Sequence, residues 1–229
     1  VFLLQLLRNS DYASLAKILS PKLFSVVSPT SIVAVAKTLQ ASRSQNTTWD
    51  QIQKSHSQHL NARPALSPQD QGHWVLEIFF DQVMNQDHWI LDLRSDAFIP
   101  DARGQIQWKP AQMFAKPDAD FLKNVRELYR GFYLDLPDTF DQAVDHLGLS
   151  PARDTLRRHF GVGDQSQVRF NLSTFQKTFT EVLGICQKNG IELDRDFLIL
   201  GLMLIGMYQN LEQLGCELNV RKVFEGAIG

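Results

Sequence analysis

Residues 88–114 read HWILDLRSDAFIPDARGQIQWKPAQMF, and residues 117–149 read PDADFLKNVRELYRGFYLDLPDTFDQAVDHLGL. The first stretch holds two short β-favouring runs, 89–93 and 105–108, separated by a loop with Pro100, Asp101 and Gly104, which predicts a β-hairpin with a longer connection. In the second, Pro117-Asp118 opens a helix with Phe121, Val125, Leu128 and Phe132 on one stripe, and a proline-initiated helix over 137–146 follows, stopped by Gly148. A hairpin followed by capped amphipathic helices sets the fold class: mainly α, a multi-helix globular domain with one short two-stranded β-hairpin at about 89–108.

Outward from this centre the same punctuation recurs. Ser67-Pro68 opens a helix running to about Asn85, with Trp74, Ile78 and Phe79 at helical spacing. Upstream, breaks at Ser20-Pro21 and Ser28-Pro29 divide residues 1–40 into short apolar helices, the last with Ile32, Val35, Ala36 and Leu39 toward the core. Residues 41–66 turn to Ser, Gln, Asn and Thr, and read as a polar linker or mobile region. Residues 67–229 form the main domain: helices over 150–160, 173–189 and 194–214, stopped by Gly161, Gly190 and Gly215, then a short one capped by Asn219.

Composition narrows the function classes. With 44% hydrophobic residues in a chain of 229, a substantial core is available. The 23 basic and 25 acidic side chains nearly cancel, which argues against nucleic acid as a partner, and the short basic patches at 126–130 and 153–158 read as solvated helix faces. Cys186 and Cys216 lie in apolar helical surroundings without CxxC spacing, so they read as free thiols in a reducing, cytoplasmic setting. The opening VFLLQLL lacks a basic flank and a cleavage pattern, and is not read as a secretory signal. The twelve-residue run FLILGLMLIGMY, 197–208, falls short of the roughly 20 residues a bilayer requires. No transmembrane segment is therefore expected, while peripheral membrane contact is left open.

Few residues carry chemistry. His56 and His59 stand three apart without a third ligand, and read as a solvated surface pair; no metal site is predicted. HFGVGDQ, 159–165, follows a helix instead of a strand and reads as a helix stop. Asp92 and Asp96 flank Arg94 beyond a strand, where sites are often built, but local ion pairing is the simpler use. Trp74, Trp89 and Trp108 gather around the hairpin, either lining a cleft or filling the core. An enzyme built on Asp92, Asp96 and His88 or His159 would need those groups to converge in a cleft.

From Leu66 onward the order of elements resembles the C-lobe of the UbiB-type (AarF-like) atypical kinases. The resemblance rests on the FFDQV stretch at 79–83, the strand, hairpin and strand that follow, the LGL at 147–149, and the closing KNGIELDRDFLILGLMLIGMYQNLEQLG at 188–215. It covers about two thirds of the chain through layout and hydrophobic texture. The chain departs from the family at its catalytic letters. Where the family carries H-x-D-P-H-P-G-N it reads LDLRSDAF, 91–98, and where the family carries D-F-G it reads WKPA, 108–111. Neither Trp108 nor Lys109 ligates magnesium.

The resemblance therefore implies a non-catalytic, pseudokinase-like helical domain that acts by binding or as a scaffold. Asp92, Arg94, Asp96, Trp108 and Lys109 mark the former active-site region, and no catalytic residue is assigned. No cofactor is expected, with Mg-ATP entering only if the kinase-like site is retained. A protein partner is expected, and the family connection adds an apolar or isoprenoid-lipid ligand. The alternatives are a helical protein–protein interaction module without kinase ancestry and a divergent ATP-dependent UbiB-like kinase.

Overall fold

The helix ends follow the caps that the sequence spells out. In the computed structural model, which describes residues 26–64, 66–160 and 167–229, helix α1 spans Pro29–Ser42, with Ser28 Oγ accepting the Ser31 N–H at 3.0 Å and proline in its first turn. Helix α4, Pro68–Asn85, opens the same way, with Ser67 Oγ accepting from Asp70 N at 3.1 Å. Asp118 caps α5 (Ala119–Tyr133), Asn171 caps α8 (Leu172–Lys188), Asp194 caps α9 (Arg195–Leu214), and Asn219 caps α10 (Val220–Ile228). Between them lie α6 (Pro137–His146) and α7 (Arg153–Phe160). Gly215 ends α9 at φ 63°, the left-handed conformation that only glycine adopts without strain. The chain is mainly α, with ten helices and only short two-stranded ladders among the described residues. The expected break at Ser20-Pro21 and most of HFGVGDQ lie outside the described residues.

Residues 41–66 are a correction. Composition predicts a linker, yet helices α2 (Asn46–Ser55) and α3 (Ser57–Leu60) occupy the segment. Ile52 is buried, Trp49 stacks on Phe114 with centroids 5.9 Å apart, and Arg63 exchanges two backbone hydrogen bonds of 2.8 Å with Ile106. The His56–His59 pair, expected to be solvated, is buried, at 0% and 5% exposed. A few apolar anchors on short helices suffice to dock a polar segment, and average composition hides them.

The strands also pair differently from the simple hairpin. Strand β1 (Trp89–Ile90) does not meet the 105–108 run; it pairs antiparallel with β4 (Phe114–Ala115). Inside that loop, after a 3₁₀ turn at Ser95–Ala97, β2 (Phe98–Pro100) and β3 (Ile106–Trp108) form the hairpin, with Phe98 opposite Trp108. The hairpin thus sits within 89–108 but starts nine residues later. A further ladder joins β5 (Val168–Arg169) to β6 (Glu217–Leu218), tying the segment before α8 to the one after α9.

Helix α4 is the centre of the larger core, buried from Trp74 through Met84 except for Glu77, and packed against α9 and α10. A second apolar cluster joins α6, α8 and Leu193, and Phe132, Leu147, Phe197 and Leu198 bridge it to the first. The apolar run at 197–208 belongs to a helix of 20 residues, with the expected bounds, and α9 is the one described helix long and apolar enough to cross a membrane. Here it packs against α1, α4 and α8.

Candidate functional site

The polar residues beyond β1 form a closed knot. Asp92, 2% exposed, accepts from Arg94 Nε at 2.7 Å and Nη2 at 3.2 Å, and its Oδ2 also takes the Ala111 N–H at 2.9 Å. Its backbone carbonyl accepts the indole N–H of Trp108 at 3.0 Å. Arg94 Nη1 lies 3.4 Å from the exposed Asp96 carboxylate. The Lys109 N–H closes the hairpin on Ala97 O at 2.7 Å while its ammonium faces solvent. The structure therefore gathers Asp92, Arg94, Asp96 and Trp108 and leaves the Lys109 side chain outside.

What this knot does is hold the hairpin. A carboxylate that already satisfies a guanidinium fork and a peptide N–H, with its residue buried, has its acceptor positions committed. Asp92, engaged in this way, does not turn its oxygens toward a metal as a Mg²⁺ ligand must. Among the described residues no group of three or more His, Cys, Asp or Glu side chains is placed to hold a metal ion. The three tryptophans fill the core: Trp74, Trp89 and Trp108 are all fully buried, Trp74 meeting Phe98 edge-on at 5.2 Å and Trp108 stacking on it at 6.3 Å.

Space for a ligand opens elsewhere, between α5, α7, α8 and α9. An apolar cavity of about 110 Å³ is lined by Leu128, Leu147, Leu156, Phe179, Leu200 and Gly201. A smaller one of about 50 Å³, toward Phe79 and Met207, shares Tyr129, His159 and Leu204 with it. Where the two adjoin, His159 Nε2 lies 3.3 Å from the Tyr208 hydroxyl, and the rings stack at 6.0 Å. Burial pushes the His159 imidazole down to about 4, so it is neutral at physiological pH, and burial also raises the Tyr129, Tyr133 and Tyr208 hydroxyls. His159 therefore lines an apolar chamber, while the Asp92 carboxylate is engaged at the hairpin and lines neither cavity.

Gly201 is informative. A glycine inside a helix costs about 1 kcal/mol relative to alanine. A Cβ built there would meet nothing nearer than Phe179 Cζ at 4.0 Å, so close packing does not require it. Its effect is to leave the cavity wall open.

Sequence reasoning passed over Asp81 and Gln82, polar residues inside the most apolar stretch of α4. Gln82, fully buried, caps the Ile90 N–H through Oε1 at 2.5 Å and receives the Trp89 indole N–H on its carbonyl at 3.0 Å. Asp81 accepts from His59 Nε2 at 3.2 Å and Asn85 Nδ2 at 3.0 Å. The available signal was an Asp-Gln pair within a run that periodicity alone assigns to core. No protein-family model matches this chain, and no curated protein sequence matches it.

Proposed function

We propose that this chain is a non-catalytic, kinase-like helical module that binds an apolar ligand between α5, α7, α8 and α9. The observation that carries the reading is the pair of adjoining apolar cavities, opened by a glycine that packing does not require. The internal engagement of Asp92 by Arg94 and Ala111 supports the non-catalytic side, since phosphoryl transfer depends on positioned metal and charge. A docking groove on the surface has less support: the exposed large apolar side chains among the described residues are Val33, Ile99, Leu134 and Leu136.

Cavity size limits what enters. An apolar cavity of roughly 150 Å³ accepts benzene, so the space here suits a ring or one to two isoprene units, with the rest of a longer ligand outside. The test is a thermal-shift titration with geraniol, with decanol as the straight-chain comparison, on the parent and Gly201→Leu. A saturable rise in Tm in the parent, absent in a folded and more stable Gly201→Leu, is expected. No saturable rise, or an equal rise in the variant, overturns the reading. A Mg-ATP shift lost in Asp92→Asn favours the divergent kinase.

A further inference from the structure

On the opposite side of α4 from the apolar cavities lies a larger space of a different character. His73, Glu77, Asp81 and Asn85 stand at four-residue steps on α4, one above another along a single face. With His59 and Arg63 on one wall and Lys222 and Gly226 of α10 on the other, they line a cleft of about 550 Å³. That volume lies within the roughly 300–1,000 Å³ typical of ligand sites.

The cleft carries both signs of charge at two levels. Gln69 bonds the Glu217 carbonyl at 3.4 Å, and Asn85 bonds that of Ala227 at 3.0 Å, so α4 and α10 run side by side in the same direction. Lys222 then falls near the level of Glu77, where Arg63 pairs with the Glu77 carboxylate at 3.2 Å and stacks over Trp74 at 4.6 Å. One helical turn on, about 6 Å along the axis, lies the Asp81 carboxylate with His59. Burial pushes the Asp81 carboxyl up, but the hydrogen bonds from His59 and Asn85 outweigh it and hold the group at about 2. His59 Nε2 lies against both Asp81 Oδ2, at 3.2 Å, and the Gln58 side-chain nitrogen, at 3.1 Å, which leaves Nδ1 as the ring's other hydrogen-bonding atom. That Nδ1 is buried without a hydrogen-bond partner, on a residue 5% exposed, and His73 Nε2 is likewise buried and unpartnered. Buried ring nitrogens of this kind are costly unless something pairs with them.

We propose that this cleft binds a small zwitterion of the α-amino-acid class, its ammonium toward Asp81 and His59 and its carboxylate toward Lys222 and Arg63. The inference is independent of the apolar cavities and holds whether or not they take a ligand.

The probes are L-alanine and L-glutamine, with propionate and ethylamine as the single-charge halves at matched ionic strength. The readout is the NMR shifts of the His59 and His73 ring protons, assigned with His→Gln variants. Two substitutions separate binding from folding. Asp81→Asn removes the anion, and Gly226→Leu fills the cleft from α10, where an added Cβ meets nothing within 4 Å. Saturable shifts with at least one amino acid, at least tenfold weaker binding of both halves, and at least tenfold loss in Gly226→Leu are expected. Absence of saturation with both amino acids, or propionate or ethylamine binding as well as the amino acids, overturns the proposal. So does undiminished binding in Gly226→Leu.

Discussion

At the residue scale, His159 couples the apolar chamber to pH. Its imidazole, near 6.5 in the unfolded chain, is held at about 4 by burial in the native state. Between these values the unfolded state binds more protons, so stability is complete above pH 6.5 and falls as pH drops toward 4. The loss at pH 5 is about 2 kcal/mol from this group alone. His56, also pushed down chiefly by burial, adds in the same direction. Urea unfolding at pH 7 and pH 5 is expected to show His159→Phe losing less stability on acidification than the parent; an unchanged difference would mean that His159 is not the desolvated group. Asp92 illustrates how far a single residue could be read. Its pairing with Arg94 is local in sequence and was legible as an ion pair, whereas its bond to the Ala111 N–H joins residues 19 apart and was not.

At the element scale, the α5–α6 corner depends on Gly131. Helices α5 and α6 approach so closely there that an added Cβ would lie 2.4 Å from the Phe140 backbone nitrogen and 2.6 Å from its Cα. Backbone cannot rotate away as a side chain does, so Gly131→Ala forces the helices apart. The expected cost is about 1–3 kcal/mol after alanine's helix preference offsets part of the strain. Denaturant midpoints decide it: a variant as stable as the parent would show that the corner yields. The same alanine at Gly201 has room and is expected to stabilise by up to about 1 kcal/mol, so two glycines in helices give opposite signs. Periodicity and caps located both helices but not which glycine faces a neighbour's backbone, because that is decided by the partner element.

At the scale of the whole molecule, the two apolar clusters are joined by shared side chains, Phe132, Leu147, Phe197 and Leu198. The four tryptophans all belong to or pack on the α4 cluster, while α6 and α8 contribute to the second. Tryptophan fluorescence therefore reports one cluster and far-UV circular dichroism both. Coincident urea transitions are expected, since the bridging side chains make the clusters one cooperative unit. An earlier loss of helicity with fluorescence unchanged would show that the α6–α8 half opens by itself.

The sequence by itself determined the mainly helical class and most helix starts and stops, because proline, capping side chains and terminal glycines act on backbone groups within a turn of themselves. Only the tertiary structure decided that β1 pairs with β4 around an inner hairpin, that the polar segment after α1 folds onto the core, and that His59 meets Asp81. Those outcomes join residues more than a dozen positions apart. They are selected by which surfaces pack when all the helices are present, a balance that local sequence does not contain.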